Sequence, residues 1–146
     1  MDTVSGDQPV IVVGIDGSSE SSSALAWAIE EARLRKARLN IVYAFPALVS
    51  FFGTTAHEYY PQVEKDAREQ FEAMLAEAPP MDDLEVVHTL VPGNPAEVLI
   101  GESEMATLLV VGSRGHGGLR GVLLGSVSTH CAQLAHCPVL VVREEH

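Results

Sequence analysis

The sequence predicts an α/β fold: a single doubly wound five-stranded parallel sheet with helices on both faces. Three observations carry that expectation. Short, continuous apolar runs rich in β-branched residues recur along the chain, as in strands buried on both faces. Longer stretches with apolar residues at helical spacing separate them. The 146 residues suit one domain with a sizeable core, and no internal repeat or low-complexity linker divides them.

Val10–Ile15 reads as the first buried strand, closed by Asp16-Gly17. Ser19–Lys36 follows as a helix, with Leu25, Ala28, Ile29, Ala32 and Leu34 at helical spacing and a serine cluster at its start. Leu39–Ala44 is the second strand. Phe45 to Tyr60 breaks the pattern with Pro46, Gly53 and scattered aromatics, so a long loop is expected. A helix is expected from Pro61 to Ala78, with Val63, Ala67, Phe71, Met74 and Leu75 on one side and Pro79-Pro80 as its stop. Leu84–Leu90 alternates like a strand nearer an edge. Asn94 caps a short helix that has Pro95 in its first turn and runs to about Glu104. Thr107–Gly112 is a third continuous strand. A glycine-rich loop then leads to Gly125, a helix from Ser126 to about Ala135, and a last strand, Pro138–Arg143.

Composition narrows the partners. With 9 Lys plus Arg against 20 Asp plus Glu, the formal charge is -11, which repels nucleic-acid backbones and anionic lipid heads. No apolar run approaches the roughly 18 residues of a spanning helix. The opening MDTVSGDQ has neither the basic residue nor the apolar stretch of a secretory signal. Cys131 and Cys137 are too few for a disulfide framework. The expectation is a cytoplasmic domain over 9–146 behind a flexible tail, 1–8, with no nucleic-acid or membrane partner.

From Gly112 to Gly125, six of the chain's 12 glycines crowd into one strand-to-helix junction. Glycine admits positive φ and lets a ligand approach the backbone. The following helix opens Gly125-Ser126-Val127-Ser128, where unpaired N–H groups and serine hydroxyls make an anion site. Arg114 and Arg120 add positive charge, and no acid lies between Glu104 and Glu144. The lysines, Lys36 and Lys65, stand outside this loop, so it is not a Walker A loop; G-x-G-x-x-G fails because Arg120 stands where glycine is required. In open α/β sheets, ligands bind beyond the carboxyl ends of the strands, where strand order reverses. The turn after Ile15, the end of the second strand and the loop after Val111 are therefore the places to look.

The spacing Gly112-x2-Gly115-x9-Gly125-Ser126 resembles the nucleotide-loop signature of the universal stress protein family. Gly14-Ile-Asp16-Gly17-Ser18 is similar to that family's first-strand turn, and His136-Cys137-Pro138-Val-Leu-Val-Val to its final strand. The resemblance implies a Rossmann-like, adenine nucleotide alpha hydrolase-like fold that binds ATP with Mg²⁺ as a stress-response switch or sensor. It implies that Gly112, Ser113, Arg114, Gly115, His116, Gly117 and Gly118 wrap the phosphates, with Gly125, Ser126 and Val127 completing the cradle. Gly14, Asp16 and Gly17 would lie against the nucleotide, and backbone near Ala44 would meet adenine. Two readings of Asp16 stand: an acceptor of ribose hydroxyls or indirect Mg²⁺ ligand, and a simple turn-former. His116 is either a phosphate donor or a solvated loop residue. The resemblance also implies a homodimer through the apolar edge strand Val139–Val142.

Other candidates carry less. Helical geometry separates His130-Cys131 from His136-Cys137 too far for one tetrahedral metal ion, and a 131–137 disulfide is geometrically poor. Serines 18, 19, 21, 22 and 23 serve as caps, with phosphate contact or phosphorylation the sharper alternative. Arg33, Arg35, Lys36 and Arg38 complement a helix C-terminus. Glu77–Glu104 is an acidic side on which an unknown protein partner could dock. Neither G-x-S-x-G nor H-E-x-x-H is present, so weak ATP hydrolysis is the most turnover expected. Two rivals remain: a dimeric interaction module without nucleotide, and a slow ATPase.

Overall fold

The computed structural model describes residues 8–46, 56–114 and 124–144, without the side chains of 56–60. The strands are β1 (Val10–Gly14), β2 (Arg38–Phe45), β3 (Val86–Pro92), β4 (Leu108–Gly112) and β5 (Val139–Val142). They form one parallel sheet in the order β3-β2-β1-β4-β5. The helices are α1 (Ser19–Arg35), α2 (Ala56–Ala76), α3 (Pro95–Glu102) and α4 (Ser126–Leu134).

Side-chain alternation along each strand builds a core on both faces. Ile11, Val13, Leu39, Ile41, Phe45 and Val110 meet Ala24, Leu25, Ala28 and Ile29 of α1 and Ala67 and Phe71 of α2. Val12, Val42, Leu109 and Val111 point the other way, into a smaller cluster with Leu99 of α3 and Cys131 of α4. This is the expected doubly wound arrangement. The chain runs outward from β1 to β3, then crosses back to β4 on the other side of β1. The crossover leaves a crevice where the carboxyl ends of β1 and β4 part.

Two element boundaries need correction. α2 begins at Ala56, inside the expected Phe45–Tyr60 loop, and Pro61 lies within the helix instead of opening it. Proline has no N–H to give the helix ladder and crowds the carbonyl four residues back, so as the sixth residue of a 21-residue helix it costs the ladder one bond. The rest of that loop, residues 47–55, lies outside the described residues. The expected strand Leu84–Leu90 is displaced to Val86–Pro92 because Leu84 closes a turn, its N–H donating to the Met81 carbonyl at 3.0 Å. Pro92 ends an edge strand, a position that spares the ladder a missing donor.

The basic cluster is consumed locally. Arg33 grips Asp83 through two bonds of 2.8 and 3.1 Å and also donates to the Pro80 carbonyl. This pairing holds the Asp83 carboxyl below its usual range. Arg35 pairs with Glu31 and Arg38 with Glu85. No described helix is long and apolar enough to cross a membrane.

Candidate functional site

The turn after β1 is built from its own short polar residues. Asp16 Oδ1 accepts from the Ser18 N–H at 2.9 Å and from the Ser18 hydroxyl at 2.6 Å. Gly17 takes a left-handed φ of 87°, which glycine adopts without a Cβ penalty. Ser18 then caps α1 by accepting from the Ser21 N–H, and the Ser21 hydroxyl accepts from the Asp16 N–H at 3.2 Å. Ser18 and Ser21 thus have structural work. The turn-forming role of Asp16 is built into this geometry, and its carboxylate still borders the crevice.

On the opposite wall, the Ser113 carbonyl joins the two ends of the glycine loop. It accepts from the Gly125 N–H at 2.7 Å and from the buried Ser128 hydroxyl at 2.8 Å. Ser113 itself donates its N–H to the Val142 carbonyl of β5. These bonds set the start of α4 beside the end of β4. Gly125 is the N-cap and supplies no side-chain cap. The first N–H groups of a helix have no partner within it, so this terminus faces the crevice as a patch of positive potential.

The result is a cleft with a cavity volume of about 70 Å³ that opens to solvent. Of the residues anticipated from sequence, Gly14, Asp16, Ala44, Gly112, Arg114, Gly125, Val127 and Ser128 line it. Gly17, Ser113 and Ser126 are not in the lining: Gly17 turns the chain, Ser113 is buried, and Ser126 is exposed on the first turn of α4. Gly115, His116, Gly117, Gly118 and Arg120 lie outside the described residues. Ser128 borders the cleft, but its proton is committed to the Ser113 carbonyl.

Sequence reasoning missed the apolar walls and one charge. Ile15, Ser21, Val42, Val111, Pro95 and Leu99 complete the lining. The α3 pair could have been found from the strand order, which puts the helix before β4 over the carboxyl end of β1. The missed charge is Glu20, in the first turn of α1, whose carboxylate meets Arg114 at 3.2 Å. The stretch without acids from Glu104 to Glu144 therefore does not make an acid-free window, because folding brings an acid from a distant segment.

Two glycines stand in close packing contact. A Cβ on Gly112 would lie 2.8 Å from the Glu20 carbonyl carbon, and one on Gly14 would lie 2.6 Å from Leu99 Cδ1. At Gly112, the neighbour demanding glycine is helix backbone belonging to this chain.

The cysteines are core. Cys131 is fully buried, and burial pushes its thiol up to about 11. Cys137 is raised in the same direction by partial burial. Neither is poised as a thiolate. His130 Nδ1 contacts the Ser126 carbonyl at 2.8 Å, a local helix contact. Among the described residues, no group of three or more His, Cys, Asp or Glu is placed to hold a metal ion.

Comparison with known proteins follows the same lines. The model of the "Universal stress protein family" matches residues 9–143. Universal stress protein Rv2623 of Mycobacterium tuberculosis is 36% identical over 143 residues, covering 94% of this chain and 46% of the relative. The chain thus spans about half the length of the curated relatives it matches. Among solved structures, universal stress protein UspA from Lactobacillus plantarum superposes with a TM-score of 0.75 at 20% identity, covering 92% of this chain and 97% of that one. A universal stress protein crystallised in complex with cAMP gives a TM-score of 0.60 at 28% identity, covering 94% and 98%.

Proposed function

We propose that this chain, which belongs to the universal stress protein family, binds an adenine nucleotide in the cleft between β1 and β4. ATP with Mg²⁺ is the form we assign, and a nucleotide-dependent stress-response switch or sensor is the role. The observation carrying this reading is the meeting of an apolar pocket with an uncapped helix N-terminus at the point where strand order reverses. The residues present fit the ligand. Val42, Ala44, Leu99 and Val111 offer a dry surface for a flat base. The amides of Gly125, Ser126 and Val127 suit phosphate oxygens. Asp16 can accept from ribose hydroxyls or from water on Mg²⁺, an ion that would offset the charge of a triphosphate. The 28% identical relative held in complex with cAMP supports the same ligand class.

The test is direct. Denaturing the purified protein and chromatographing the supernatant should release adenine nucleotide. Calorimetry on stripped protein should show saturable binding of ATP with Mg²⁺. Nucleotide absent from both measurements would overturn the reading.

One observation favours the alternative, a dimeric interaction module with an empty cleft: the cation bordering the cleft is already paired with Glu20. The same calorimetry separates the two. Turnover is expected to be slow at most, since the carboxylate in the cleft already accepts two hydrogen bonds. The assigned setting is the cytoplasm, with neither nucleic acid nor membrane as partner. We further assign a homodimer through Val139–Val142, where, among the described residues, β5 leaves one edge unpaired and three of its four residues half-buried. Light scattering at micromolar concentration should give twice the chain mass, and a monomer alone would refute this part.

A further inference from the structure

Glu20 stands out among the acids of the chain. Its residue is only 7% exposed although it lies on the first turn of a helix, where a carboxylate is ordinarily solvated. Its backbone is pressed against Gly112 so closely that a single methyl at 112 would overlap it. Its Oε2 faces the Arg114 guanidinium at 3.2 Å, across 94 positions of sequence, with its own side chain 10% exposed and that of Arg114 32% exposed. The packing at Gly112 fixes where the carboxylate stands, and the carboxylate then engages the cation that borders the cleft.

From this arrangement we infer that Glu20 is a specificity-determining residue: a built-in anion that competes with ligand phosphate for Arg114 and grades ligands by their charge. The inference rests on the reading of the cleft as an adenine-nucleotide site and names the property of the ligand that the site discriminates. A guanidinium has five N–H donors, so Arg114 can hold Glu20 and still address an oxygen in the cleft. Its positive charge is nevertheless largely cancelled by its partner. Asp16 and Arg114 line the cleft, and with Glu20 counted as the partner of Arg114 the three side chains sum to one excess negative charge. A ligand with little phosphate charge meets little opposition from that field. A bare triphosphate meets repulsion that grows with each phosphoryl group, and a divalent cation relieves it.

The experiment measures affinity by calorimetry for adenosine, AMP and ATP without Mg²⁺, and for ATP with Mg²⁺. The proteins are the wild type, Glu20→Gln and Glu20→Ala. Alanine retains the Cβ and backbone that pack on Gly112 while removing the carboxylate. Removing the charge is expected to tighten metal-free ATP by about tenfold, AMP by about threefold and Mg-ATP by an intermediate factor, while adenosine changes less than about twofold. A purely structural role for Glu20 would instead weaken all ligands together, adenosine included. Equal shifts across the series, no shift, or loss of folding in both variants by circular dichroism would overturn the assignment and leave Glu20 a stability residue. Wild-type protein that binds neither adenosine nor any nucleotide would refute the cleft reading itself. Wild-type binding without the charge-graded response refutes only the role of Glu20.

Discussion

Gly112→Ala is expected to destabilise the fold by about 1–3 kcal/mol, the usual cost of forcing a methyl into packed surroundings. The added Cβ would stand 2.8 Å from both the carbonyl carbon and the Cβ of Glu20, and 3.0 Å from its carbonyl oxygen. None of these atoms can rotate away, so α1 must shift as a body. Glu20 and the Asp16 turn shift with it, and ligand affinity should fall in the protein that remains folded. Urea denaturation checks the first effect and calorimetry the second. Gly14→Ala provides the contrast. There the near atom is Leu99 Cδ1, the end of a flexible side chain that can adopt another rotamer, so a smaller loss is expected. Equal urea midpoints for Gly112→Ala and wild type would show that α1 and β4 are not in close contact.

Phe71→Ala should cost more, about 3–5 kcal/mol, and should act by a different route. Phe71 is 3% exposed and lies against the Tyr43 ring, with centroids 6.2 Å apart and planes 6° from parallel. The His88 ring meets it edge-on at 5.3 Å. It fastens α2 to β2 and β3 on the face opposite α3 and α4. Thermal unfolding should move down by several degrees per kcal/mol lost, as expected for a domain of this size. The cleft is walled by β1, β2, β4, α3 and α4, so affinity measured well below the midpoint should stay near the wild-type value. A large drop in affinity at full folding would contradict this separation of the two faces.

These two residues also show what could be read from sequence and what could not. Phe71 was legible: its helix carries apolar residues at 3.6-residue spacing, and that period implies a buried face. Strands β1 and β4 were legible for the same kind of reason, since runs such as Val10–Gly14 have no polar residue to expose. The location of the cleft followed from topology, because alternation of strands and helices implies a reversal of strand order somewhere, and ligands collect there. The start of α2 was hidden because proline marks helix starts more often than interiors, and local composition does not reveal which case holds. Gly112 was recognised as a glycine with a special demand, but the agent of that demand was Glu20, far away in sequence. The ion pair with Arg114 was invisible for the same reason. Charge counted along the chain measures neighbours in sequence, whereas a parallel sheet places segments side by side that are far apart in it.

The crossover that carries the chain from β3 back to β4 also governs the order in which the cleft comes into being. Its first wall, the turn after β1, emerges early in synthesis. Its second, with Val111, Arg114, Val127 and Ser128, emerges only after three strands and three helices have been made. Arg114, which lines the cleft, and its partner Glu20 are 94 positions apart. No fragment ending before β4 can hold both walls, however much of the sheet it forms. An occupant of this cleft therefore meets only a finished domain, and by mass action it stabilises the whole chain against unfolding. Binding there doubles as a certificate of complete folding.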